Sequence, residues 1–260
     1  MENSSENLEF ANRAFLYGDA VNVSFFVHHG KLILAEECYF FLMASMRKMR
    51  FPIPMNFTLE FFQNYFKENA LNKGFLEGII HFLAYRNNNF IDVDFHFDIE
   101  KKNNILGIQG DYEIDLIKEI NVNTHFLSSI RIHSPENIYA EIYAKDNDLD
   151  DVIFLNPNKR IARTIFGNLL FLEENVIKIP KTTEGAYISP IMESFLTFVH
   201  QNKLAEIRES EMIAFESQKA EEILMISDNK GIFSVTKIRN KTFGKTRFTE
   251  MIEKWRISFA

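Results

Sequence analysis

The chain has 260 residues, 46% apolar and 25% charged, with a formal net charge of −7. That length can bury a full core and suits one large domain or two compact ones. The acidic balance argues against general affinity for a nucleic-acid backbone, and no apolar run reaches membrane-spanning length.

The start, Met-Glu-Asn-Ser-Ser-Glu-Asn, is polar and acidic, unlike a signal peptide. Val21 to His28 reads as a strand, with Val21, Val23, Phe25 and Val27 alternating with Asn22, Ser24, Phe26 and His28. His29-Gly30-Lys31 signals a tight turn, and Leu32-Ile33-Leu34 returns as a second strand. A helix follows to about Met49, with Phe41, Leu42, Ser45 and Met49 along one side. Pro52 and Pro54 interrupt regular structure, and Thr58 caps a helix carrying Leu59, Phe62, Tyr65 and Phe66. Residues 79–85 form a buried strand. From Ile91 to Ile99, apolar Ile91, Val93, Phe95, Phe97 and Ile99 alternate with Asp92, Asp94, His96 and Asp98, which predicts a strand with one wet face. Lys101 to Asn104 reads as a hairpin turn, and the connection between domains is expected near 107–115, giving an N-terminal domain at 1–110 and a C-terminal one at 111–260.

In the second half, Ser134-Pro135 starts a helix, with serine as cap and proline at its first position. Strands are expected at 151–156, 168–173, 176–179, 222–227 and 231–238. A helix at 190–203 buries Ile191, Phe195, Phe198 and Val199, and Thr249 to Trp255 forms a last short one. With 27 Phe against 10 Gly and 6 Pro, the interior should be rich in aromatic groups. Cys38 is the only cysteine, which excludes an intrachain disulfide and fits a reducing, cytoplasmic setting. The class is mixed α+β.

Other chemistry is thin. No Gly-x-Gly-x-x-Gly or Walker-type loop is present. His28-His29 sits at a turn, but adjacent strand residues point to opposite faces, so surface histidines rather than metal ligands are expected. Cys38 reads as a small core residue. Glu206 to Glu211 and Lys219 to Glu222 read as solvated charge, and the basic run Lys237, Arg239, Lys241, Lys245 and Arg247 as local charge balance.

Five segments together resemble one family. They are Phe15-Leu-Tyr-Gly-Asp-Ala-Val-Asn22, His29-Gly30-Lys31 and Glu37-Cys-Tyr-Phe-Phe-Leu-Met-Ala-Ser45, then the block from Ile138 to Leu172 and the run from Ala220 to Ile238. In order and spacing the chain resembles fold-type IV pyridoxal-phosphate enzymes: D-amino-acid transaminase, branched-chain aminotransferase and aminodeoxychorismate lyase. The resemblance implies a two-domain fold, a small N-terminal α/β domain and a larger C-terminal pseudo-barrel domain, with the family's pocket between them. It also implies a homodimer.

Carried over residue by residue, the family's functional positions have changed chemistry. The Schiff-base lysine falls at Ile130, and a one-residue slip gives Arg131. The phosphate-binding arginine falls at Phe41. The carboxylate that pairs with the pyridinium nitrogen falls at Arg163, and the phosphate-binding helix start at Pro190-Ile-Met-Glu193. Isoleucine cannot form an imine, and arginine beside the ring nitrogen disfavours the protonated pyridinium. The expectation is therefore a degenerate relative without catalytic residues, resident cofactor or metal. It would bind a small anionic ligand or a partner, but neither nucleic acid nor membrane. Its candidate pocket residues are Phe41, Ile130, Arg131, His133, Arg163, Asn168 and Met192. The alternative is an active pyridoxal-phosphate aminotransferase or aminodeoxychorismate-type lyase on a small amino acid, in a different register; a small slip brings in neither Lys118 nor Lys145, and Lys159 and Lys178, on or near strand turns, read as solvated.

Overall fold

The computed structural model describes residues 12–259; the polar stretch before Asn12, read above against a signal peptide, lies outside them. Contacts divide the chain into two units, the first ending at Lys101 and joined by Ile130–His133, the second holding Lys102–Ser129 and the chain from Ser134 onward.

The first unit begins with α1 (Arg13–Tyr17), capped by the Asn12 side chain and ended by Gly18 at φ 62°. Strands β1 (Ala20–His28) and β2 (Lys31–Ile33) form a hairpin around His29 and Gly30. Both turn residues have positive φ, at 50° and 71°, as a two-residue hairpin loop requires. Helix α2 (Ala35–Lys48) follows, with Glu36 and Glu37 in its first turn and Arg47 and Lys48 in its last, the order that suits a helix dipole. Helix α3 (Leu59–Asn69) is capped as expected by Thr58, whose hydroxyl accepts the Phe61 amide at 3.1 Å. Strands β3 (Gly78–Arg86) and β4 (Val93–Lys101) complete an antiparallel sheet of order β2-β1-β3-β4.

The phenylalanine excess is spent here. Phe25, Phe62, Phe66 and Phe82 are buried and in mutual ring contact, with Phe25 and Phe66 at 4.8 Å and Phe62 edge-on to Phe82 at 5.2 Å. Such edge-to-face pairs add to area burial. On β1 both alternating sets are buried, Ser24, Phe26 and His28 as well as Val21, Val23, Phe25 and Val27. On β4 the alternation holds through its centre, while Ile91 and Ile99 are exposed.

The second unit contains β5 (Ile108–Leu116), α4 (Pro135–Asp146), β6 (Asp151–Leu155), β7 (Ile161–Thr164), β8 (Asn168–Glu173) and β9 (Val176–Pro180). It continues with α5 (Pro190–Gln201), β10 (Glu206–Ser210), β11 (Glu222–Ser227), β12 (Gly231–Ile238), β13 (Lys241–Thr242) and α6 (Thr246–Ile257). Its nine-stranded sheet runs β10-β9-β8-β11-β12-β5-β6-β7, with β13 on β12. The β5–β12, β5–β6 and β9–β10 pairs are parallel and the rest antiparallel. One core packs Ile114, Ile153, Leu169, Ile223 and Val235; another packs Ala140 and Ala144 of α4 against Val152 and Phe154.

Three sequence expectations change here. Lys101 to Asn104 is not a hairpin turn, since β4 pairs in the first sheet and β5 in the second. Residues 107–115, expected as the connection between domains, fall almost wholly in β5 (Ile108–Leu116), whose parallel partner lies far away in sequence. Glu206 to Ser210 carries its charge outward on an edge strand that polarity had hidden. Among the described residues no helix is long and apolar enough to cross a membrane.

Candidate functional site

In the first unit the run Ile130–His133 is held close to β1, the Asn22 amide donating to the Arg131 carbonyl at 3.1 Å. Gly18 makes room for it: a Cβ there would collide with the His133 side chain, and its φ of 62° is itself one that favours glycine. Ile130 is 2% exposed, Arg131 is buried and His133 is exposed. Phe41 is buried on α2. The same unit has a surface cavity of about 450 Å³ lined by Arg13, Tyr85, Arg86, Asn87 and Asp94. Its arginines are already engaged. Arg13 donates to Asp19 at 2.8 Å; Arg86 donates to the Met49 carbonyl at 2.7 Å and lies over the Phe51 ring.

In the second unit Arg163 is 5% exposed. Its Nη1 donates to the Thr164 carbonyl at 2.8 Å and its Nη2 to Asn137 Oδ1 at 2.9 Å. The guanidinium lies 4.2 Å from the centre of the Tyr187 ring and 4.9 Å from that of Phe154. Asn137 Nδ2 donates in turn to the Tyr187 hydroxyl at 3.0 Å. Asn168 clasps the Tyr187 backbone, donating to its carbonyl at 2.8 Å and accepting its amide at 2.9 Å. Arg163 and Asn168 therefore belong to one buried network through Asn137 and Tyr187. Neither of those two had been singled out. Asn137 looks like an ordinary first-turn helix residue, and only its asparagine amide, with two donors and an acceptor, hints at a junction.

Met192 stands apart, at the start of α5. Its amide donates to Ser189 Oγ at 3.2 Å, and the Ser189 hydroxyl donates to Asp228 Oδ1 at 2.7 Å. Pro190 has no amide hydrogen to offer. Glu193 is in the same first turn, and burial, then the Asp228 charge, raises its pKa above the usual carboxylate value. This helix start is thus already capped and carries two carboxyl groups, poor surroundings for an anion.

Among the described residues, no buried one is a lysine. Lys118, Lys145 and Lys159 are exposed, and Lys178 donates to Glu173. The basic run is balanced locally, Lys237 on Glu113, Arg239 on Asp115 and Lys245 on Asp111, each at 2.6 Å. Cys38 is fully buried. Two surface readings fail. His28 is buried against Glu77, and Glu222 is buried at the start of α6, where it accepts the Arg247 and Phe248 amides.

Residues 25–238 match the sequence profile of amino-transferase class IV. The chain belongs to that family. Solved class IV folds agree over nearly the whole length. A putative 4-amino-4-deoxychorismate lyase from Legionella pneumophila is similar at 17% identity and a TM-score of 0.84, covering 99% of this chain and 96% of that one. A branched-chain aminotransferase from Thermoproteus uzoniensis is similar at 15% and 0.86, covering 98% and 90%. A hypothetical aminotransferase from Mycobacterium tuberculosis in its pyridoxal-phosphate-bound form is similar at 13% and 0.85, covering 100% and 96%. At such identities the likeness shows the fold, which is the α+β, two-domain, D-amino-acid-aminotransferase-like fold, the second unit's sheet being its half-barrel. No curated protein matches the chain.

Proposed function

We propose that this class IV chain has lost pyridoxal-phosphate catalysis and works by binding a small anionic ligand or a protein partner, as a cytoplasmic homodimer. The observation that carries this reading is Arg163. Where the resemblance puts a carboxylate against the pyridinium nitrogen, a buried cation is bonded to Asn137 and Thr164 and stacked on Tyr187. A fixed positive charge there opposes protonation of the ring nitrogen, which is the step that lets the ring accept electrons.

The other positions fit the cofactor no better. Ile130 is buried and has no amine, and Phe41 offers no charge to a phosphate. At α5 a phosphate would meet Asp228 and Glu193, with the Met192 amide already taken by Ser189. These residues do not suit pyridoxal phosphate. Arg131 in the first unit and Arg163 in the second are each a buried cation of the kind that a carboxylate or phosphate ligand draws on.

The test is to add pyridoxal phosphate to the purified protein, record its absorption, treat it with borohydride and map peptides by mass. The expected result is neither a band of lysine-bound cofactor nor a reduced adduct. An adduct on one lysine would overturn the reading in favour of an active aminotransferase or aminodeoxychorismate-type lyase on a small amino acid.

A further inference from the structure

His28 and His29 are consecutive, and along a regular strand their side chains would point to opposite faces. They do not, because His29 leaves β1 with φ at 50°, in the left-handed region. That turn brings the two rings to 4.0 Å between centres. It is anchored by the segment that leads into β3, the Gly30 amide donating to the Leu76 carbonyl at 2.8 Å. The next residue, Glu77, brings its carboxylate against the His28 ring and the His29 backbone. Its Oε1 and Oε2 lie 2.9 and 3.0 Å from His28 Nδ1, and Oε2 also accepts the His29 amide at 3.1 Å. One donor atom from each of the three side chains lies within 4.8 Å of the other two.

We propose that His28, His29 and Glu77 form a binding site for one zinc-type divalent cation. Two imidazole nitrogens and one carboxylate oxygen are a donor set that suits zinc and its borderline neighbours, and not magnesium or calcium, which take oxygen ligands. Tetrahedral coordination with bonds of about 2.0–2.1 Å puts donors about 3.4 Å apart. His28 and Glu77 are already inside that separation, so the ring that must close in is His29, which is exposed and has room to rotate. The His29 amide on Oε2 fixes the carboxylate while Oε1 turns to the cation, the kind of outer contact that steadies a ligating group. A fourth position is left open to water. The proposal is independent of whether the chain binds pyridoxal phosphate.

The test is calorimetric titration of chelator-treated protein with zinc chloride, alongside His29→Asn and Glu77→Gln. Asparagine tolerates the left-handed turn, and glutamine keeps an acceptor for His28 and the His29 amide, so both variants should fold. The expected result is one zinc per chain, at least 10-fold weaker in either variant, with X-ray absorption reporting nitrogen and oxygen ligands. A zinc-dependent rise in melting temperature should accompany it and vanish in both variants. Absence of stoichiometric binding, or equal affinity in wild type and His29→Asn, would overturn the proposal and leave His28 and Glu77 as a hydrogen-bonded pair only.

Discussion

Asp151 is fully buried, and its Oδ1 accepts the Val152 amide at 2.7 Å and the Ile165 amide at 2.9 Å. Burial pushes its pKa from 3.8 up to about 6, with hydrogen bonds from Thr164 and neighbouring amides offsetting part of the rise. The folded chain therefore keeps this proton at pH values where the unfolded chain has released it. By linkage, the Asp151 contribution to stability falls as pH rises from 3.8 to about 6 and is constant above that. Asp151→Asn removes the titration and keeps a carbonyl acceptor. Urea midpoints across this window should show the wild type gaining on the variant as the solution is acidified; parallel profiles would refute the assignment. Nothing in Asp150-Asp151 marks one aspartate as buried and the other as exposed. The pair reads as surface charge until β6 is placed in the interior of the sheet.

At the scale of elements, α6 lacks a cap of its own, since Lys245 makes no side-chain bond to the helix. Glu222, the first residue of β11, supplies one: Oε1 accepts the Arg247 amide and Oε2 the Phe248 amide, both at 2.9 Å. This puts a negative charge on the positive end of the dipole and ties the helix to the sheet. Glu222→Ala should cost about 1–2 kcal/mol, the usual worth of a lost cap, and Glu222→Gln less, because one acceptor remains. Chemical denaturation would rank the three proteins. Most elements were legible in the sequence. The strands of period two, the Thr58 cap and the proline-led helices α4 and α5 all follow from local pattern. What escaped was whatever depends on a distant partner. Glu222 looked like its solvated neighbours, β10 like a charge run, and Lys101 to Asn104 like a hairpin although it joins two sheets.

For the whole molecule, the family assignment was legible because it rests on many weak matches in the right order. The candidate site was legible only as a set of altered positions. The network around Arg163 was not, because Asn137 and Tyr187 carry no motif and meet through folding. Class IV aminotransferases are typically dimers, and this chain exposes apolar side chains on α1 (Phe15, Leu16 and Tyr17) and on α4 (Ile138 and Ile142). Exposed apolar surface of this kind is what a second copy would cover. Light scattering should therefore return twice the 30.5 kDa of one chain. A monomeric mass at micromolar concentration would contradict the homodimer.

The parallel pairing of β5 with β12 also dictates an order of events during synthesis. Glu113 of β5 meets Lys237 of β12, 124 positions later. Until those later residues leave the ribosome, most of β5 has no neighbour on that side, and the β5–β6 pairing reaches only from Ile114 to Leu116. An early strand with a waiting edge is slow to close and open to wrong partners. The first sheet waits less, since β1 finds β3 between Gly78 and Tyr85 and β4 follows β3 directly, so it is complete once Lys101 has emerged. The nascent chain would thus carry one finished half and one open strand, and a chaperone that shields strand edges would find its work in the second unit.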